Sequence, residues 1–187
     1  MAAVTSPRVW RIASWLAVIA LILSIPLIAM VFTREVNWTP FDFGFAASLL
    51  LIVAVVYEIA ARSGSIFYRA GVAAALAAGL LLIWINGAVG IIGDESNRAN
   101  LLFLGVLAIA LMGAFIGRFR SNGMARATCA AAFAQVLVGT IALIAGWGAN
   151  GPSYPWDIVG LSGFFSALWL ASAWLFRKSQ TPSPING

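Results

Sequence analysis

Six apolar stretches, each about as long as a bilayer-crossing helix, follow one another along this chain with short polar connections between them. A hydrocarbon core ~30 Å thick needs about 20 residues of helix to cross it. The stretches fall at 10–33, 43–61, 70–92, 100–117, 127–147 and 158–176. Only 9% of the residues are charged, against about a quarter in a soluble domain. The fold class predicted is therefore all-α, a polytopic bundle of six transmembrane helices. A transmembrane β-barrel would show alternating segments of ~10 residues, and the chain shows no such pattern. The expected organisation is a cytoplasmic N-terminus at 1–9, a single transmembrane domain at 10–176 and a flexible cytoplasmic tail at 177–187.

The charges between the stretches are sorted by side. Arg8, Arg11, Arg62, Arg69, Arg118, Arg120, Arg126, Arg177 and Lys178 belong to one face, nine of the eleven basic residues. Arg34 and Arg98 lie on the other, with Glu35, Asp42, Asp94, Glu95 and Asp157. Basic residues in short loops stay on the cytoplasmic side, which predicts both termini there. The same placement accounts for the basic balance without nucleic acid, so the partner it implies is the lipid bilayer. Trp10, Trp38, Trp147, Trp156 and Trp174 fall at stretch ends, where an interfacial aromatic belt sits, while Trp84 and Trp169 lie deeper.

The first stretch follows basic residues, as a signal peptide's would. Its apolar run is longer than a usual signal core and no small-x-small cleavage site follows, so a retained helix is expected. Pro26 is expected to kink it, with Ser24 placed to bond a freed carbonyl.

Ionisable and amide groups inside spans are costly and mark candidate sites. Glu58 is the only acid within a stretch, and Arg62 follows four residues later, in the favourable order for a helical ion pair. Such a pair near the inner interface is the ordinary reading; a proton- or cation-binding carboxylate is the sharper one. Gln135 lies near the middle of the fifth stretch and Asn86 in the outer part of the third. Glu58, Arg62 and Gln135 could share a polar pocket, with Asn86 a separate outer station.

Small residues accompany these amides. Gly79, Gly90 and Gly93 share a helical stripe with Asn86, Gly139 shares one with Gln135, and Gly113 and Gly117 form a GxxxG. Small residues at this spacing let helix backbones approach closely. The polar run from Asp94 to Asn100 offers carboxylates to a hard cation, but it lacks EF-hand spacing and carries Arg98 among the acids. It reads better as a solvated turn that caps the fourth helix.

The chain has no histidine and one cysteine, Cys129. That removes His-based triads, Cys–His pairs and intrachain disulfides, and no P-loop or nucleophile elbow is present. No catalytic residue, metal ligand or cofactor is expected.

Three segments then stand out together: Tyr57-Glu58 before Arg62 and Tyr68-Arg69; Val89-Gly90-Ile91-Ile92-Gly93 before Glu95, Asn97 and Asn100; and Arg118-Phe119-Arg120 before Gly123-Met124-Ala125-Arg126. They resemble a group of short, uncharacterised bacterial integral membrane proteins. The resemblance covers about residues 57–146 and implies a bacterial inner-membrane location, with no activity or residue roles attached. The leading expectation is a non-enzymatic membrane protein acting through helix–helix association, with itself or with a membrane partner. The alternative is a small-solute or proton-coupled carrier using Glu58 and Gln135.

Overall fold

The structure is a computed structural model that describes residues 7–60, 62 and 65–180, with side chains from residue 9 onward. Much of the expected tail, residues 181–187, and the N-terminal residues 1–6 lie outside the described residues. Among the described residues the chain is all-helical: α1 Pro7–Phe32, α2 Pro40–Ala60, α3 Ile66–Ala88, α4 Leu102–Ile116, α5 Ser121–Ile144 and α6 Trp156–Lys178, with a 3-10 turn at Arg98–Leu101 leading into α4. Each of the six helical segments, the fourth counted from Arg98, is long and apolar enough to cross a membrane.

Two compact units divide at residue 58. The first holds α1 and most of α2. Pro40 at the first helical position and a reciprocal cap start α2. The Thr39 amide and hydroxyl donate to Asp42 at 2.7 and 2.8 Å, and the Asp42 amide donates back to Thr39 Oγ1. α1 runs through Pro26, and the Ser24 hydroxyl takes the Leu21 carbonyl at 2.7 Å. The two helices meet through side chains rather than through closely packed backbones, and Ile19, Ala46 and Ala54 are the buried apolar residues between positions 9 and 58.

The second unit holds α3 to α6. α5 packs along both α4 and α6, α3 packs along α6, and α3 and α4 barely touch. α5 suits its central place because most of its buried positions are small, among them Ala125, Ala127, Ala131, Ala132, Gly139 and Ala142. Without a hydrophobic driving force between helices in lipid, close backbone approach has to supply the attraction. A Cβ on Gly113 would lie 2.7 Å from the Ala127 Cβ, and one on Gly117 would lie 2.6 Å from the Gly123 Cα. Gly71 lets the Phe176 ring lie against α3, and its carbonyl accepts the Ser172 hydroxyl at 2.8 Å.

Three helix boundaries that bear on the polar residues differ from the sequence expectation. α3 and α5 start earlier, at Ile66 and Ser121, so Arg69 and Arg126 lie inside helices rather than before them. Ser65 caps α3 by accepting the Tyr68 amide. α3 also ends earlier, at Ala88, because Gly90 takes a left-handed backbone, φ 74°, which glycine adopts without strain. The apolar residues that follow, Ile91 and Ile92, are fully buried in a loop.

Candidate functional site

At the end of α2, Glu58 is met from α1. Arg11 forms an ion pair with one carboxylate oxygen, and the Trp15 indole donates to the other at 2.9 Å. Arg11 and Trp15 are four residues apart and so share one face of α1. The Trp15 ring also stands edge-on to Tyr57, with centroids 5.6 Å apart. Arg62, the partner suggested by spacing, lies in the exposed turn beyond the end of α2. The helical ladder that would align the two residues stops at Ala60.

Gln135 belongs to the second unit, in the seam between α5 and α6. It is fully buried, and neither its amide oxygen nor its nitrogen has a hydrogen-bond partner. Two buried groups on α6, Ser162 Oγ and Trp169 Nε1, are likewise unpartnered. A Cβ on Gly139, one turn along from Gln135, would sit 2.5 Å from Ser162 Oγ, so α5 and α6 are in direct contact there. A buried polar group without a partner costs ~1–3 kcal/mol. Thr128 on the same helix avoids that cost by donating to Met124 O at 2.9 Å.

The loop between α3 and α4 is built around Asn100. This side chain is 6% exposed. Its Oδ1 accepts the amides of Ile91 and Ile92 at 3.0 and 2.9 Å, and its Nδ2 donates to Asp94 O at 2.7 Å. Gly93 and Gly148, both left-handed, bring this loop against the one between α5 and α6. Gly90 and Gly93, expected on a helical stripe with Asn86, thus lie in this loop, beyond the helix that would have carried the stripe. Gly79 remains on α3 in ordinary contact with Leu107. Asn97 caps the 3-10 turn by accepting the Ala99 amide. Asp94 accepts both the amide and the hydroxyl of Ser96, which hold its carboxyl below the ordinary carboxylate range. Among the described residues no group of three or more acid or cysteine side chains could hold a metal ion.

Because α3 and α4 hardly pack, a cavity of about 310 Å³ opens between them beneath this loop. Leu82, Ile83, Leu104 and Leu107 give it apolar walls, and Glu95 and Arg98 stand on its lining together. Asn86, in the last turn of α3, lines it too; its Nδ2 donates to Leu82 O at 2.9 Å, and its Oδ1 is buried and unpartnered.

At the opposite end of this unit, Arg69, Arg118, Arg120, Arg126, Arg177 and Lys178 gather on the starts of α3 and α5, the α4–α5 turn and the end of α6. Tyr68 donates to Phe119 O at 2.7 Å, and the Ser179 and Ser121 hydroxyls bond at 2.8 Å. Arg118 and Phe119 both take left-handed backbones, at φ 50° and 56°, a region sparsely populated without glycine.

Sequence spacing pointed to Glu58, Gln135 and Asn86. It passed over Trp15 and Ser162, and placed Asn100 only in a polar turn and Trp169 only as a deeper tryptophan; their signals were weaker: a tryptophan four residues from Arg11, one asparagine among several, and a serine and tryptophan seven residues apart. Comparison of this chain with known protein families, with curated proteins and with solved structures finds no match.

Proposed function

We propose that this chain is a non-enzymatic integral protein of the bacterial cytoplasmic membrane that acts by associating with a second copy of itself through α6. The observation that carries this reading is a second small-residue face on that helix. α6 buries Ile158, Ser162, Phe165, Ser166, Trp169 and Phe176 against its own unit. Gly160, Gly163, Ala167 and Ala171 are exposed along another face. A Cβ on Gly160 or Gly163 would meet nothing within 4 Å. Residues spaced by three and four share a helix face, and small ones let a second helix approach. The seams at Gly113, Gly117 and Gly139 are filled from within the chain, whereas Gly160 and Gly163 meet nothing. The nine-to-two basic asymmetry supports the orientation with both ends in the cytoplasm. The lack of histidine and of a second cysteine supports a role without catalysis. The resemblance to short bacterial membrane proteins supports the location.

The test is the mass of the full chain in mild detergent and in lipid nanodiscs. A dimer or larger assembly is expected, and Gly163→Leu should shift it to monomer without loss of helicity. A monomer at every concentration contradicts the reading.

A second reading is favoured by one observation, the buried and unpartnered amide of Gln135 in a unit where Ser162 and Trp169 also carry buried, unpartnered polar atoms. Intramembrane polar groups of this kind line solute or proton paths in carriers. Under that reading Glu58 and Gln135 both serve transport, and Glu58→Gln or Gln135→Leu abolishes a flux in liposomes. Unchanged flux in both variants removes it.

A further inference from the structure

We propose that the basic end of the α3–α6 unit binds an anionic phospholipid, its phosphate among the arginines around the α4–α5 turn and an acyl chain against Phe115 and Phe119. The first ground is convergence. Tyr68 donates to Phe119 O at 2.7 Å, which sets Arg69 beside a turn whose Arg118 and Arg120 flank Phe119. The Ser121 and Ser179 hydroxyls bond at 2.8 Å, and their chain neighbours are Arg120 and Lys178. Arg177 reaches Cys129 Sγ at 3.9 Å, one turn from Arg126 on the same face of α5. Segments distant in sequence thus bring these six basic side chains, all exposed, to one surface.

The second ground is that no acid of the unit answers this charge. Its acids are Asp94, Glu95 and Asp157. They follow the end of α3 or begin α6, a helix length of roughly 30 Å from the basic end. Glu58, the acid nearest to Arg69 in sequence, is taken by Arg11 and Trp15. Among the described residues none of the six basic side chains is in an ion pair. Topology asks only that basic residues stay on one side of the membrane; it does not ask that they converge. Like charges gathered on one surface repel one another, and an anion among them relieves the repulsion. The planar fork of arginine suits two phosphate oxygens.

The third ground is depth, and it selects a lipid over a soluble anion. α3 to α6 are long and apolar enough to cross a membrane, so their ends lie at the level of the headgroups. Arg69 is the fourth residue of α3 and Arg126 the sixth of α5, roughly 5 and 8 Å inside the helix starts. Apolar rings border these charges. Phe115 and Phe119 stand edge-on with centroids 5.2 Å apart, and both are exposed. Lys178 Nζ lies 4.5 Å from the Phe67 ring and 5.0 Å from that of Trp174. A ligand that meets cations and exposed rings together at this depth carries a phosphate on an acyl chain. The turn is also preset. Arg118 and Phe119 hold left-handed backbones, fixed by the Tyr68 bond and by the Phe119 amide donating to Ala114 O at 3.0 Å. Such a turn has little order left to lose on binding. This site is separate from the small-residue face of α6 and does not depend on self-association.

Native mass spectrometry of the full chain in neutral detergent tests the proposal. The probes are phosphatidylglycerol and phosphatidylcholine with the same acyl chains, and soluble glycerol phosphate. Phosphatidylglycerol should be retained about tenfold more tightly than phosphatidylcholine, and glycerol phosphate should bind more weakly than either. Arg118→Gln combined with Arg120→Gln should lower the preference for phosphatidylglycerol about tenfold, and so should Arg69→Gln combined with Arg126→Gln. Arg98→Gln, at the opposite end of the unit, should leave it unchanged. The preference is read as a ratio on each variant, so a general loss of folding lowers both lipids alike and is not mistaken for a loss of recognition. Equal retention of the two lipids, an unaltered ratio in both double variants, an equal drop in Arg98→Gln, or glycerol phosphate binding as tightly as the lipid would overturn it.

Discussion

Trp15 donates its indole N–H to Glu58 at 2.9 Å, so the one acid within an apolar stretch is held from a neighbouring helix by an indole as well as by the Arg11 guanidinium. The Arg11 side chain is 55% exposed and that of Glu58 25%. An ion pair so open contributes no more than ~1 kcal/mol. Glu58→Gln keeps an acceptor for Trp15 and loses only the charge. Thermal unfolding in detergent should therefore show a loss below ~1 kcal/mol, and liposome flux should be the same as in the parent protein. A flux lost with unchanged stability would favour the carrier reading.

Asn100 closes a loop that cannot satisfy itself. Replacing it by alanine leaves the buried amides of Ile91 and Ile92 without acceptors. The expected loss is ~2–4 kcal/mol, one to two for each orphaned donor. Hydrogen exchange at the Ile91 and Ile92 amides, slow in the parent protein, should become fast in Asn100→Ala.

In the same loop, Asp94 answers to pH. Its carboxyl lies below the ordinary 3.8 because Ser96 donates a hydroxyl and an amide to it. A folded-state value below the unfolded one means that the contribution to stability is complete above the ordinary value. It is lost as pH falls through the lowered one. Loop order should thus be constant at neutral pH and weaken only in strong acid. In Ser96→Ala the titration of Asp94, followed by carboxyl NMR, should move up toward 3.8.

Gln135 makes the opposite prediction about stability. Its amide is fully buried with both polar atoms unpartnered, and leucine has a similar volume and no polar atom. Gln135→Leu should raise stability by ~1–3 kcal/mol. A loss would show that the amide has a partner which leucine removes.

The membrane-spanning architecture was legible because apolar length and the small number of charges leave one solution. The end of α3 was not. Val89, Ile91 and Ile92 continue the apolar run past Ala88, and hydropathy does not distinguish a buried loop from another helical turn. What stops the helix is a left-handed glycine and the Asn100 carboxamide ten residues further on, a tertiary contact with no local trace. Glu58 was visible as a lone acid, yet the spacing rule that chose Arg62 assumed a helix running beyond Ala60. The seam at Gly113 was readable from its GxxxG spacing, whereas its neighbour, Ala127, was not. The open face of α6 was missed because glycine and alanine look alike on a buried and an exposed stripe. Only the packing shows that Ser162, Ser166 and Trp169 turn inward and Gly160, Gly163 and Ala167 do not.

The most direct measurement is oxidative cross-linking in native membranes of Ala167→Cys, in a chain whose one natural cysteine is replaced by Cys129→Ala. A symmetric pair of α6 helices places equivalent residues together near the twofold axis. The account predicts a covalent dimer from Ala167→Cys that disappears when Gly163→Leu is added. Ser172→Cys, buried against Gly71 within its own unit, should give none. No dimer from Ala167→Cys, or one that persists with Gly163→Leu, would contradict it.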